Sequence, residues 1–215
     1  INLGAGGQSF INVTTATLTN ISNAGVQATG DLPDAAEVTI DDLTVDDSSN
    51  GIGVNIGDAD SQYEITASSI NDTNRGVDIG DAEEVTVRGS TTIDNTNNQA
   101  IRINDPTDGT DSTIVVNEST SIDQAGTGIS VDVSSDVDAT VDINNVDVNG
   151  TSSGVDIAGV NDNTGTAVNV TSSTFTNNDG AGLNYSTTQN PIADTKLNVH
   201  FNTFENNDAG IGVDD

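Results

Sequence analysis

The sequence predicts an all-β chain wound as a parallel β-solenoid, about eight coils of roughly 26 residues with three short strands in each. Three observations predict it. Apolar-x-apolar triplets return at a near-constant interval, and two single apolar anchors follow each triplet at their own set distances. Between them Gly, Asn, Asp, Ser and Thr interrupt every window that a helix would need.

The triplets form one sheet, here sheet A: Ile1-Asn2-Leu3, Val26-Gln27-Ala28, Ile52-Gly53-Val54, Val77-Asp78-Ile79, Ile101-Arg102-Ile103, Ile129-Ser130-Val131, Val155-Asp156-Ile157, Leu183-Asn184-Tyr185 and Ile211-Gly212-Val213. Their starts are 25, 26, 25, 24, 28, 26, 28 and 28 residues apart. Alternation turns the outer two residues inward and the middle one outward. Val13, Ile40, Ile65, Val87, Val116, Ile143, Val170 and Val199 anchor sheet B. Five or six residues later, Leu18, Val45, Ile70, Ile93, Ile122, Val148, Phe175 and Phe204 anchor sheet C. Each anchor series then stacks into an inward column, with Phe175 directly under Phe204. Coils about 4.8 Å apart make a rod of roughly 40 Å whose shared core supplies the burial that no single coil achieves.

Two corners are short and regular. The corner from C to the next triplet takes seven or eight residues and is rich in Asn, Asp and Gly, which tolerate positive φ. The corner from A to B varies between 8 and 14 residues, so length variation gathers there. Phe175–Tyr185 (FTNNDGAGLNY) and Phe204–Val213 (FENNDAGIGV) resemble the repeat of pectin-lyase-like parallel β-helix proteins. The resemblance implies right-handed winding over residues 1–215 as one domain. It names a scaffold, because that family spans polysaccharide lyases and hydrolases, epimerases, phage tailspikes and adhesins.

Thirty-four acids face four bases, a formal charge of −30, with Lys196 the only lysine and Asp outnumbering Glu 28 to 6. No basic patch exists for a nucleic-acid backbone or anionic lipid, and no apolar run approaches the roughly 18 residues of a membrane span, so neither nucleic acid nor direct membrane insertion is expected. The Asp-rich, Lys-poor composition resembles that of proteins from extreme halophiles. With no Cys or Met and one His, thiolate and His-cluster sites are excluded.

Candidate chemistry is sparse. On the outward row of sheet A, Asp78 and Arg102 are neighbours one coil apart and Asp156 lies two coils further. They read either as a carboxylate–arginine site for a uronic-acid polymer or as an exposed cross-strand ion pair. Asp105, Asp108 and Asp111 are spaced by three in a Pro- and Gly-bearing turn that lacks the ligand pattern of a calcium loop, which leaves only opportunistic Ca²⁺ or Na⁺ and no cofactor. Asp58-Ala59-Asp60 is weaker still. His200 is expected to point outward from sheet B. The outward row of sheet C is a Thr/Ser column broken by Asp147. Seven N-x-S/T sequons, at Asn12, Asn20, Asn71, Asn117, Asn149, Asn169 and Asn184, are glycosylation candidates.

The chain opens on one triplet and stops two residues past another, so its own continuation or neighbouring subunits are expected to cover both ends. The expectation is a non-catalytic extracellular structural or adhesive rod, from a halophilic archaeon or its virus. Its variable loops (104–113, 158–166 and 186–196) then offer surface to glycans or partner subunits. The competing expectation is a secreted polysaccharide lyase, epimerase or glycoside hydrolase acting on sheet A. At about 1 M salt the Debye length falls to about 3 Å and self-repulsion is screened. Thermal unfolding followed by circular dichroism is therefore expected to show a midpoint that climbs between about 0.1 and about 3 M NaCl; a flat profile contradicts salt adaptation.

Overall fold

A computed structural model describes residues 1–3, 10–28, 32, 36–57, 61–80, 82–104, 112–132, 139–158, 166–186 and 196–214. They form strands and turns, with no helix among the described residues. The first winding is Phe10–Thr14, Thr17–Thr19 and Ala24–Ala28; the same order repeats to Lys196–His200, Thr203–Glu205 and Ala209–Asp214. The result is three eight-stranded sheets whose strands follow chain order, every neighbouring pair parallel.

Both anchor columns stand as the sequence predicts. Val13, Ile40, Ile65 and Val87 pair in succession in sheet B, and Val116, Ile143, Val170 and Val199 continue the column. In sheet C the column ends on Phe175 and Phe204, whose rings stack with centroids 5.2 Å apart and planes at 17°. Ile40, Ile65, Ile70, Ile93, Ile122, Val155 and Phe175 are buried in the lumen.

One register in sheet A differs from the sequence expectation. Val54 pairs with Val26 and Val77, and Asn55 pairs with Gln27 and Asp78, so the second coil's triplet is Val54-Asn55-Ile56 and not Ile52-Gly53-Val54. Val54 and Ile56 are buried, while Ile52 is half-buried beside a register shift that begins at Ser48. The reason is a close approach. Gly25, Gly53, Gly76, Gly128, Gly154 and Gly182 precede six of the triplets, with buried Ala100 before the Ile101 triplet, and the α-carbons of these glycines press against the next coil's backbone. A Cβ on Gly53 would stand 2.6 Å from the Gly76 carbonyl oxygen and 2.5 Å from Ile70 Cγ2. The C-to-A corner of this coil therefore carries two more residues than the triplet spacing implies.

The corners are held by left-handed residues. Among the described residues, all sixteen non-glycine residues with positive φ, together with Gly89 and Gly150, lie at two corners. Between sheets B and C stand Thr15, Asp42, Ala67, Gly89 with Ser90, Glu118 with Ser119, Asn145, Ser172 and Phe201. Between C and A stand Asn20, Asp47, Asp72, Asn95, Gln124, Gly150, Asn177 and Asn206. Asn and Asp predominate in the second column because their short polar side chains ease the left-handed conformation. Most of these residues donate their N–H to the next winding, as Asp42 does to Thr66 O at 3.2 Å and Asn95 to Asp123 O at 3.1 Å.

Behind each corner runs an inward polar column that anchor spacing did not reveal. Ser68 Oγ accepts from Leu43 N–H at 3.3 Å and donates to Thr66 O at 2.9 Å. Asn178, buried, accepts through Oδ1 from Thr151 N–H at 3.0 Å and donates through Nδ2 to Asn207 Oδ1 at 2.8 Å. These side chains satisfy buried corner backbone that would otherwise lose its hydrogen bonds. Because Phe175 is the largest fully buried side chain among the described residues, Phe175→Ala is expected to cost about 3–5 kcal/mol in urea unfolding, against about 0.5–1.5 kcal/mol for an Ile122→Val control.

Candidate functional site

Sheet A brings two of the three predicted residues together. Arg102 pairs in register with Asp78, and its Nε donates to Asp78 Oδ1 at 2.7 Å. Arg75, which sequence reasoning did not single out, donates from Nη1 to the other oxygen, Oδ2, at 3.1 Å and from Nε to Gln99 Oε1 at 3.0 Å. It escaped because it precedes the triplet within the strand Thr73–Ile79, where no anchor fixes its direction; its i, i+3 spacing to Asp78 was the available signal. Asp78 is 5% exposed and is the one charged residue buried among the described residues. Both of its oxygens are therefore occupied by guanidinium donors, which a carboxylate needs once water is removed.

Asp156 is not part of this cluster. Ser130 lies between it and Arg102 in the register, and Asn184 Nδ2 donates to its Oδ1 at 3.1 Å. Asp78 and Asp156 are three strand spacings apart, about 14 Å between backbones. Paired glycosidase carboxylates work across about 5–10 Å.

A second cluster lies on the outside of sheet B, where the sequence offered no anchor. An open groove of about 390 Å³ is lined by Glu37, Gln62, Glu64, Glu84, Arg88 and Glu118, among others. Arg88 binds Glu64 through Nη2 and through Nε at 2.5 Å, and Nη1 reaches Glu118 at 3.5 Å. The hydrogen bond and charge of Glu64, with the charge of Glu118, push the Arg88 guanidinium above its ordinary range. All three arginines are thus held by carboxylates of the chain itself.

The sequon asparagines divide. Asn12 and Asn20 are exposed. Asn71, Asn149 and Asn169 each donate from Nδ2 to an aspartate of the preceding coil, Asp46 at 3.0 Å, Asp123 at 2.8 Å and Asp142 at 2.5 Å, as Asn184 does to Asp156. Asn117 is half-buried, with its Oδ1 shielded and without a hydrogen bond. His200 is exposed on sheet B as expected. The Thr/Ser column of sheet C is in register, with Asp147 between Ser121 and Thr174. Asp105, Asp108 and Asp111, the Asp58-Ala59-Asp60 turn and most of the three variable loops lie outside the described residues. Among the described residues no group of three acids, His or Cys is placed to hold a metal ion.

No protein family, curated protein or solved structure matches this chain. Removing both guanidinium groups by Arg75→Ala with Arg102→Ala leaves Asp78 buried without a counter-charge. The double variant is expected to lose about 3–5 kcal/mol in urea unfolding, more than the two single losses combined.

Proposed function

We propose that the chain is a non-catalytic structural and adhesive rod, carried on an extracellular or virion surface and adapted to high salt. The observation that carries this reading is the commitment of the arginines. Arg75 and Arg102 share Asp78, and Arg88 lies between Glu64 and Glu118, so the described surface presents no unpaired arginine to an anionic substrate. A uronic-acid polymer approaching sheet A meets a field set by −30 charges.

The outward acids support a scaffold in the same way. Asp46, Asp123, Asp142 and Asp156 each accept from an Asn one coil later, which separates like charges along the columns and ties adjacent windings together. Such a surface gains most where salt screens the remaining repulsion. Partner subunits or the chain's own continuation at the rod ends belong to this reading, as does glycan contact along the outer face.

The test is release of new reducing or unsaturated ends from polygalacturonate, alginate and hyaluronate in about 2 M NaCl. No release above a buffer blank is expected. Release that Arg102→Ala abolishes overturns the rod in favour of a carbohydrate-active enzyme.

A further inference from the structure

Phe201 is 91% exposed and holds φ at +59°. Each state is unfavourable for a bulky aromatic, which gains nothing from water and is strained in the left-handed region. Elsewhere in this corner column stand residues that suit solvent or a left-handed turn, including Asp42, Ser90, Ser119, Asn145 and Ser172. All five are exposed although windings flank them on both sides, so the column faces outward by its position in the coil. Ile1, Ile211 and Val213, also exposed, belong instead to inward columns of the first and last rungs.

The corner that carries Phe201 is firmly held. His200 O accepts from Ser172 N–H at 3.0 Å. Asn202 accepts from Ser173 N–H at 2.8 Å and donates to Val170 O at 2.7 Å. The exposed His200 ring sits beside Phe201, with centroids 6.1 Å apart and planes tilted by 42°. Together they form an aromatic shelf on a backbone corner that is already held by hydrogen bonds.

The residues paired beside it are neutral in a chain of −30. Thr171 lies in register with His200, Asn169 with Asn198, and Thr174 with Thr203. Asn144 donates to Thr171 Oγ1 at 2.6 Å, and Asn198 donates to Asn169 Oδ1 at 2.7 Å. On these strands Glu205, exposed two residues beyond Thr203 on sheet C, is the acid of the same rung, about 7 Å along the strand from Thr203, and Asp142 and Asp147 follow two rungs away, about 10 Å.

We propose that the His200–Phe201 corner is a binding site for a neutral carbohydrate. The C–H face of a sugar ring carries slight positive charge and packs on the negative face of an aromatic ring, while amides and hydroxyls beside it meet the sugar hydroxyls. Strain at Phe201 is then the cost of placing that ring outward. The inference rests on the adhesive reading above and gives it a site and a ligand class.

The test is binding of glucose, mannose, galactose and N-acetylglucosamine hexaoses in about 2 M NaCl by saturation-transfer NMR and calorimetry, with oligogalacturonate as the anionic control. At least one neutral hexaose is expected to bind and oligogalacturonate is not. Phe201→Asn is expected to weaken binding at least roughly tenfold and Phe201→Tyr to keep it within about threefold. Phe201→Asn is also expected to melt no lower than the parent, since Asn accepts this φ. Binding by no neutral hexaose, unchanged binding by Phe201→Asn, a lower melting point in that variant, or Phe201-dependent self-association in sedimentation each overturns the site. Cleavage of a hexaose instead overturns the non-catalytic rod, so the two failures are distinguishable.

Discussion

After three bends, each winding has to return one strand spacing above its own start, with every side chain in its predecessor's column. That geometric constraint governs the rest of the molecule. A chain of ordinary right-handed and extended residues does not turn so sharply at fixed points, and left-handed residues at two corners supply the turns. Once the turns are fixed, parallel hydrogen bonds form between all windings and the lumen columns follow. The glycines that precede the triplets serve the same end from inside, since the backbone of the next coil occupies the place of a side chain.

The acid-rich surface depends on the same stacking. In-register parallel strands put like residues over like residues, which for aspartate means repulsion along the rod. Asn–Asp alternation relieves it, because each amide donates back to the carboxylate of the preceding coil. Among the described strand pairs Asp94 and Asp123 are the exception, stacked directly in sheet C, and one oxygen of Asp94 is shielded without a hydrogen bond. Asn71, Asn149, Asn169 and Asn184 are thereby drawn into structure, since the nitrogen that would carry a glycan is already the donor.

Much of the scaffold was legible in the sequence because burial selects residue type strongly inside a narrow lumen. Both anchor columns and the Phe175–Phe204 stack follow from β-branched and aromatic spacing alone. The second coil was misread because Ile52-Gly53-Val54 and Val54-Asn55-Ile56 both satisfy the triplet pattern, and only contact with the neighbouring coil distinguishes them. Arg75, the Arg88 groove and the inward Ser, Thr and Asn columns lie at corners or on outward faces, where local sequence carries little information about direction. Phe201 was equally hidden, since an apolar residue beside a strand reads as core until the corner column is known to face water.

Register between windings is what the columns, corners and ion pairs all depend on, and the absence of native Cys makes it directly measurable. Ser69 and Thr92 are paired one rung apart on the outside of sheet C, whereas Thr44 and Thr92 are two rungs apart. Disulfide formation in Ser69→Cys/Thr92→Cys under mild oxidation, compared with Thr44→Cys/Thr92→Cys, is the measurement. Adjacent rungs fall within disulfide reach and two rungs, about 10 Å, do not. The first pair is predicted to close with the β-sheet spectrum intact while the second stays reduced. Equal closure of both, or failure of the first, contradicts the stacked solenoid.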